Sequence, residues 1–189
     1  MLNGNQGITI DGVQHPRAIY TLWTEAERNA IGIYTVEYDN SNKKDEKWYI
    51  NTNQSYAFGS GKVTATYGTA TAKAHADTLY TAQDETDGLG TEGELKSRGL
   101  KYKLIQDVKL EAANELAKTD WYVVRKSEES TAIPSAITTH RRLVRTKAAA
   151  METSITNASD TPALETLYTY TTDSDGVHSR PLGEIPTLD

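Results

Sequence analysis

Two long stretches of this chain place apolar residues at helical spacing, and that pair limits the fold more than any other feature of the sequence. From Glu94 to Lys118 the apolar positions are Ile105, Val108, Ala112 and Leu116; from Ser135 to about Ala158 they are Ile137, Val144, Ala148, Met151, Ile155 and Ala158. Steps of three, four and seven residues return a side chain to the same side of a helix, so each stretch predicts one buried stripe. Two such stripes cover each other as an antiparallel pair. Pro134 opens the second helix, and Ser159-Asp160-Thr161-Pro162 supplies a cap and an early proline for a third, short helix carrying Leu164 and Leu167.

The N-terminal part has a different rhythm. Ile8-Thr9-Ile10, Ile31 to Tyr38, Lys47 to Thr52 and Lys62 to Tyr67 are β-branched and aromatic runs broken by Gly and Asn, which predicts short strands. Asp11-Gly12 is a hairpin signal, because both central positions of a type I′ turn need positive φ. Thr24-Glu25-Ala26-Glu27 is a capping box for a brief helix, with Gly32 as its stop. The polar, acidic run Thr81 to Gly93 holds three glycines and predicts a linker. Thr171 to Asp189 has no apolar period and contains Pro181 and Pro186, so it predicts an extended tail that neighbouring chains would have to order.

The expectation is therefore an α+β protein. Residues 1–80 form a small β-rich region, 81–93 an acidic Gly-rich linker, 94–170 an antiparallel helical hairpin with its short third helix, and 171–189 an extended tail.

Charge and composition narrow the chemistry. A net charge of −6, with basic residues concentrated only around Arg141 to Lys147, argues against a nucleic-acid partner, since phosphate attraction needs a basic surface. No cysteine is present, which removes disulfides, thiolate nucleophiles and cysteine zinc sites. Met1 to Gly7 lacks a charged and then apolar leader, and no window reaches the ~18 apolar residues of a membrane span.

Gly88-Leu89-Gly90-Thr91-Glu92-Gly93 matches the spacing of a dinucleotide loop, but Asp84 to Asp87 stand where an apolar strand should enter. Gly59-Ser60-Gly61-Lys62 hints at a phosphate loop, yet its first glycine position is Tyr56, and a hairpin turn explains it better. His15, His75, His140 and His178 are scattered without metal-ligand spacing, and no serine stands in a GxSxG elbow. The expectation is a protein that is not an enzyme and needs no cofactor or metal.

What remains is interface chemistry. The chain has 11 Tyr against one Phe and two Met, and tyrosine rings serve half-buried contacts because the hydroxyl keeps a polar partner. Tyr168 and Tyr170 are interface candidates of this kind. Trp121 reads either as a plug at the base of the helical pair or as an anchor between subunits. Arg141, Arg142 and Arg145 read as a solvated helix face or as bridges to an acidic neighbour.

Leu104-Ile105, the run from Leu116 to Trp121, Arg125-Lys126, Ala132-Ile133-Pro134 and the Arg142-x-x-Arg145 pair together resemble a C-terminal module of tailed-bacteriophage tail-fibre, tail-fibre-assembly and related virion proteins. In that module a Thr-Asp-Trp step leads to a proline-started helix bearing a Tyr-Arg-x-x-Val-Arg pattern. Here His140-Arg141 or Arg141-Arg142 stands at the Tyr-Arg position. Val13-Gln14-His15-Pro16 and the segment from Thr24 to Ile33 are similar to the opening of the same proteins. The resemblance implies a non-enzymatic virion component at the baseplate or tail-fibre junction. Such a protein is made in the host cytoplasm, binds other tail proteins, and is homo-oligomeric or multi-copy in the particle. An assembly chaperone and a head decoration or neck protein are the alternatives.

Overall fold

The computed structural model describes residues 6–52 and 54–188. The opening segment, read above as lacking a leader, lies largely outside the described residues. With about 41% helix and 18% strand, and the helices gathered toward the C-terminus, the protein is α+β. The chain divides into two compact units between Thr71 and Ala72.

The first unit begins with an antiparallel hairpin of β1 (Ile8–Ile10) and β2 (Val13–His15). Asp11 and Gly12 supply its turn at φ 49° and 79°, as the type I′ signal requires. Helices α1 (Ile19–Leu22) and α2 (Glu25–Ala30) follow. The capping box forms at α2: the Thr24 N–H donates to the Glu27 carboxylate at 2.7 Å, and the Glu27 N–H donates to Thr24 Oγ1 at 3.3 Å.

Next come β3 (Val36–Asp39), β4 (Tyr49–Ile50), β5 (Ser55–Gly59) and β6 (Lys62–Thr66). β6 is the centre of a three-stranded sheet, parallel to β3 and antiparallel to β5. The strand expected from Ile31 starts only at Val36, because Ile31 and Gly32 close α2 by hydrogen bonding to Arg28 and Asn29 carbonyls. Ile19, Trp48, Tyr49 and Ala65 are the buried apolar residues.

β7 (Thr71–Ala72) lies at the division, and the second unit continues with β8 (Thr78–Leu79), α3 (Ala82–Thr86) and β9 (Leu95–Ser97). Here the expected linker differs from what folds. Residues 81–93 sit inside the second unit as the connection between paired strands β8 and β9. Thr81 and Asp84 make a second capping box, and Lys96 bonds Asp84 at 2.6 Å. Lys96 first and Thr81 second hold the Asp84 carboxyl down at about 2. The acidic run is thus partly neutralised and hydrogen-bonded, which composition does not reveal.

The helical core is α4 (Leu100–Ala117), α5 (Asp120–Glu129), α6 (Ser135–Asn157) and α7 (Thr161–Tyr168). α4 starts six residues later than its apolar period suggested, since Leu95–Ser97 is taken by β9. Cross-links along α4 and α6 run in opposite order: Lys101 to Thr156, Lys109 to Glu152 and Glu115 to His140. The pair is antiparallel, as expected. Val108 and Ala112 are buried on α4 together with Leu104, and all six stripe residues of the second helix are buried. Asp160 caps α7 by accepting from the Ala163 N–H at 2.8 Å. Most of the connection between Thr119 and Pro134 is the helix α5, stopped by Ser130 at φ 57°.

The tail is the largest departure. Strands β10 (Thr171–Thr172) and β11 (His178–Ser179) form a small hairpin, and the chain then crosses its own helices. The Leu182 N–H donates to the Leu167 carbonyl of α7, Lys147 of α6 donates to the Leu182 carbonyl, and the Leu188 N–H donates to Glu115 of α4. Leu182 and Ile185 are buried at 2% and 5% exposure. The strap is held by contacts with its own helices.

A chain ended after Tyr170 is therefore expected to be less stable. Loss of two buried aliphatic side chains amounts to about 3 kcal/mol or more. A thermal melt reads it, and an unchanged midpoint would mean the strap contributes nothing.

Candidate functional site

Part of the phage resemblance, Leu116 to Asp120 and Arg141, meets where α4 ends, α5 begins and α6 passes. The last carbonyls of a helix have no partner within it. Arg141 meets that need from α6: its Nη1 donates to the Leu116 carbonyl at 2.8 Å and to Thr119 Oγ1 at 2.7 Å, and its Nη2 pairs with Asp120 at 2.8 Å. Thr119 is buried and donates its own hydroxyl to Leu116 at 3.0 Å. The Thr-Asp of the Thr-Asp-Trp step and one arginine of the following helix are thus a single hydrogen-bonded cluster. Arg141, 8% exposed, belongs to no solvated face. That expectation fails because the planar guanidinium can satisfy three acceptors at once.

One helical turn earlier, Glu115 is buried beside His140, with His140 Nε2 3.1 Å from Glu115 Oε1. Lys118 also bonds the carboxylate, and the Leu188 N–H reaches it at 2.9 Å. The Lys118 ammonium, then the Leu188 N–H, hold the Glu115 carboxyl below its ordinary value of 4.5. The sequence did carry a signal for this pair. Glu115 continues the spacing of Leu104, Val108 and Ala112, and His140 falls between Ile137 and Val144, so each occupies a stripe position.

A depressed carboxyl contributes stability above its ordinary value and loses it as pH falls through the folded value. Hydrogen exchange of the Leu188 amide is therefore expected to be pH-independent in its protection above about 4.5 and to lose protection below it. In Glu115→Gln this acid-linked loss should vanish; identical pH profiles would show that the Glu115 carboxylate does not hold the Leu188 amide.

The remaining expected interface residues fall into two groups. Trp121 is 51% exposed on α5 and plugs nothing. Its ring lies 3.8 Å from that of Tyr122, with the Arg125 guanidinium 4.6 Å above it. Because α5 buries none of its residues, Trp121, Val123 and Val124 stay at the surface. Arg142 and Arg145 are exposed on α6, and Arg145 helps line a depression of about 260 Å3 with Val123, Ile133, Thr138 and Arg141. Tyr168 and Tyr170 stand at the end of α7, where Arg180 lies 5.1 Å and 5.4 Å from their rings and pairs with Glu184. Burial pushes the Tyr168 hydroxyl up to about 12. Tyr170 donates to Glu184, which raises its pKa as well. These two rings clamp the strap.

The glycine run Gly88 to Gly93 lies between α3 and β9, so no helix begins on it. A Cβ on Gly90 would fall 2.5 Å from the Tyr80 ring, which gives that glycine a packing reason. Among the described residues, no group of three His, Asp or Glu could hold a metal ion, and no helix is long and apolar enough to cross a membrane.

In the first unit, sheet register sorts side chains into two faces. Val36, Val63 and Phe58 form one row and Tyr38, Ala65 and Tyr56 the next, all on the same side. Tyr38, Tyr56 and Phe58 are each more than half exposed. The alternation in Ser55-Tyr56-Ala57-Phe58-Gly59 was its signal in the sequence.

Comparison with protein-family models, with characterised proteins and with solved structures finds no match for this chain.

Proposed function

We propose that this protein is a non-enzymatic structural component of a bacteriophage tail, at the baseplate or tail-fibre junction, acting through protein–protein contacts. The observation that carries this reading is the Arg141 cluster. Residues singled out by a short sequence resemblance, Thr119 and Asp120 on one side and Arg141 on the other, are 22 and 21 positions apart and bond directly. The antiparallel packing of α4 on α6 brings the two stretches together, and Arg141 makes the bonds that join them. The exposed Trp121, Val123 and Val124 next to that cluster are the contact chemistry an assembly protein needs.

Purified phage particles from cells producing the chain provide the test, by quantitative peptide mass spectrometry and antibody labelling along the particle. A stoichiometric band with label on the tail is expected. Presence in the lysate but absence from particles would replace the reading with an assembly chaperone, and label on the capsid would make it a head or neck protein. Absence from both phage lysates and particles would overturn it.

A further inference from the structure

The edge strand β5 lacks every feature that keeps sheet edges from pairing. Its sequence, Ser-Tyr-Ala-Phe-Gly, has no charge and no proline, and all five residues are exposed. The opposite edge is different. β3 carries the charged side chains Glu37, bonded by Lys62 at 2.6 Å, and Asp39, and charged residues on an edge disfavour pairing there.

The hairpin geometry fixes which backbone groups of β5 are free. Ser60 and Gly61 make a two-residue turn at φ 52° and 77°, so the flanking Gly59 and Lys62 exchange hydrogen bonds, and bonded and non-bonded pairs alternate from there. Ser55, Ala57 and Gly59 thus turn their backbone groups toward β6. Tyr56 and Phe58 aim theirs outward, where among the described residues no strand meets them.

We propose that the protein dimerises by antiparallel pairing of β5 with β5 of a second copy, with Ala57 on the two-fold axis. That register pairs the whole strand. Tyr56 of each copy then faces Phe58 of the other, and each exchanges its outward N–H and C=O. Both rings are on the apolar face, so the rows Val36, Val63, Phe58 and Tyr38, Ala65, Tyr56 continue across the axis into the second copy's rows. Sliding the pairing by two residues leaves outward groups of Tyr56 or Phe58 unpaired. A two-fold contact is self-complementary and closes, so it yields a dimer and not a fibre. The contact is small, which places it among weak and reversible interfaces. It rests on the sheet alone and stands whether or not the protein belongs to a phage tail.

The chain has no cysteine, so a single introduced thiol reports one distance. At the two-fold, a non-hydrogen-bonded pair brings Cα atoms to about 4.5 Å, within disulfide reach. Ala57→Cys in the full chain is expected to cross-link into a dimer under mild oxidation, and Ser55→Cys, displaced from the axis, is not. Sedimentation of the unmodified chain should show a concentration-dependent monomer–dimer equilibrium. Ala57→Lys, which sets like charges opposite each other on a solvent face, should raise its dissociation constant roughly fivefold or more with unchanged circular dichroism. A monomer at every concentration, or equal cross-linking by Ala57→Cys and Ser55→Cys, would overturn the proposal. So would an unchanged dissociation constant for Ala57→Lys. If that variant misfolds, the two cysteine variants decide the question alone.

Discussion

Met151→Asp is expected to unfold the second unit. Met151 is 1% exposed on α6, one turn from Ala148 and Ile155 on the seam that covers α4. The substitution removes a buried apolar side chain, about 2 kcal/mol, and leaves a carboxylate with no partner, a further ~3–5 kcal/mol. Together these approach the ~5–15 kcal/mol that holds a typical domain. Met151→Leu conserves volume and should cost under about 1.5 kcal/mol. Far-UV circular dichroism with thermal melts reads both. A Met151→Asp protein with native helicity and an unchanged midpoint would refute the antiparallel packing of α4 on α6.

Arg141→Ala is expected to have the second-largest effect, about 3 kcal/mol. It removes two charge-assisted hydrogen bonds, to the Leu116 carbonyl and to the buried Thr119 hydroxyl, at ~1.5–3 kcal/mol each, while those two groups keep their bond to each other. The more exposed Asp120 adds less, because water replaces the guanidinium there. Arg141→Lys should recover little, since one ammonium cannot span three acceptors in the geometry of a planar fork. Denaturant melts of Arg141→Ala, Thr119→Val and the double variant make the test sharper. The double should cost clearly less than the sum, because both singles break the same network. Additive losses would show that Arg141 and Thr119 do not act together, and would also remove the observation on which the tail reading rests.

The same cluster shows how far a sequence can be read. Arg141, Arg142 and Arg145 look alike as letters on a helix, and a basic helix face is solvated by default. Only Arg141 is turned into the junction, beneath the carbonyl of Leu116. Trp121 shows the opposite turn. A tryptophan at a helix end reads as a buried plug or as an anchor between subunits, and α5 carries it outward and leaves it half exposed, which removes the plug. In both cases residue type gave the chemistry, and rotation about a helix axis decided who receives it. Glu115 and His140 were legible in principle, because polar residues at stripe positions must find partners when the stripes meet.

By itself the sequence determined what depends on residues within one turn or one period. The α+β class, the Asp11-Gly12 hairpin, the Thr24 and Asp160 caps, the third helix and the α6 stripe all follow from contacts between near neighbours. The tertiary structure decided the rest. The strap is held by Leu188 on Glu115, 73 residues away, and Thr161 anchors the carbonyl of Lys73, 88 residues away. A segment such as 171–189 has too few apolar residues to order itself, so composition calls it extended. It becomes ordered because the helices present a ready surface for Leu182 and Ile185, and that surface exists only after α4, α6 and α7 have packed.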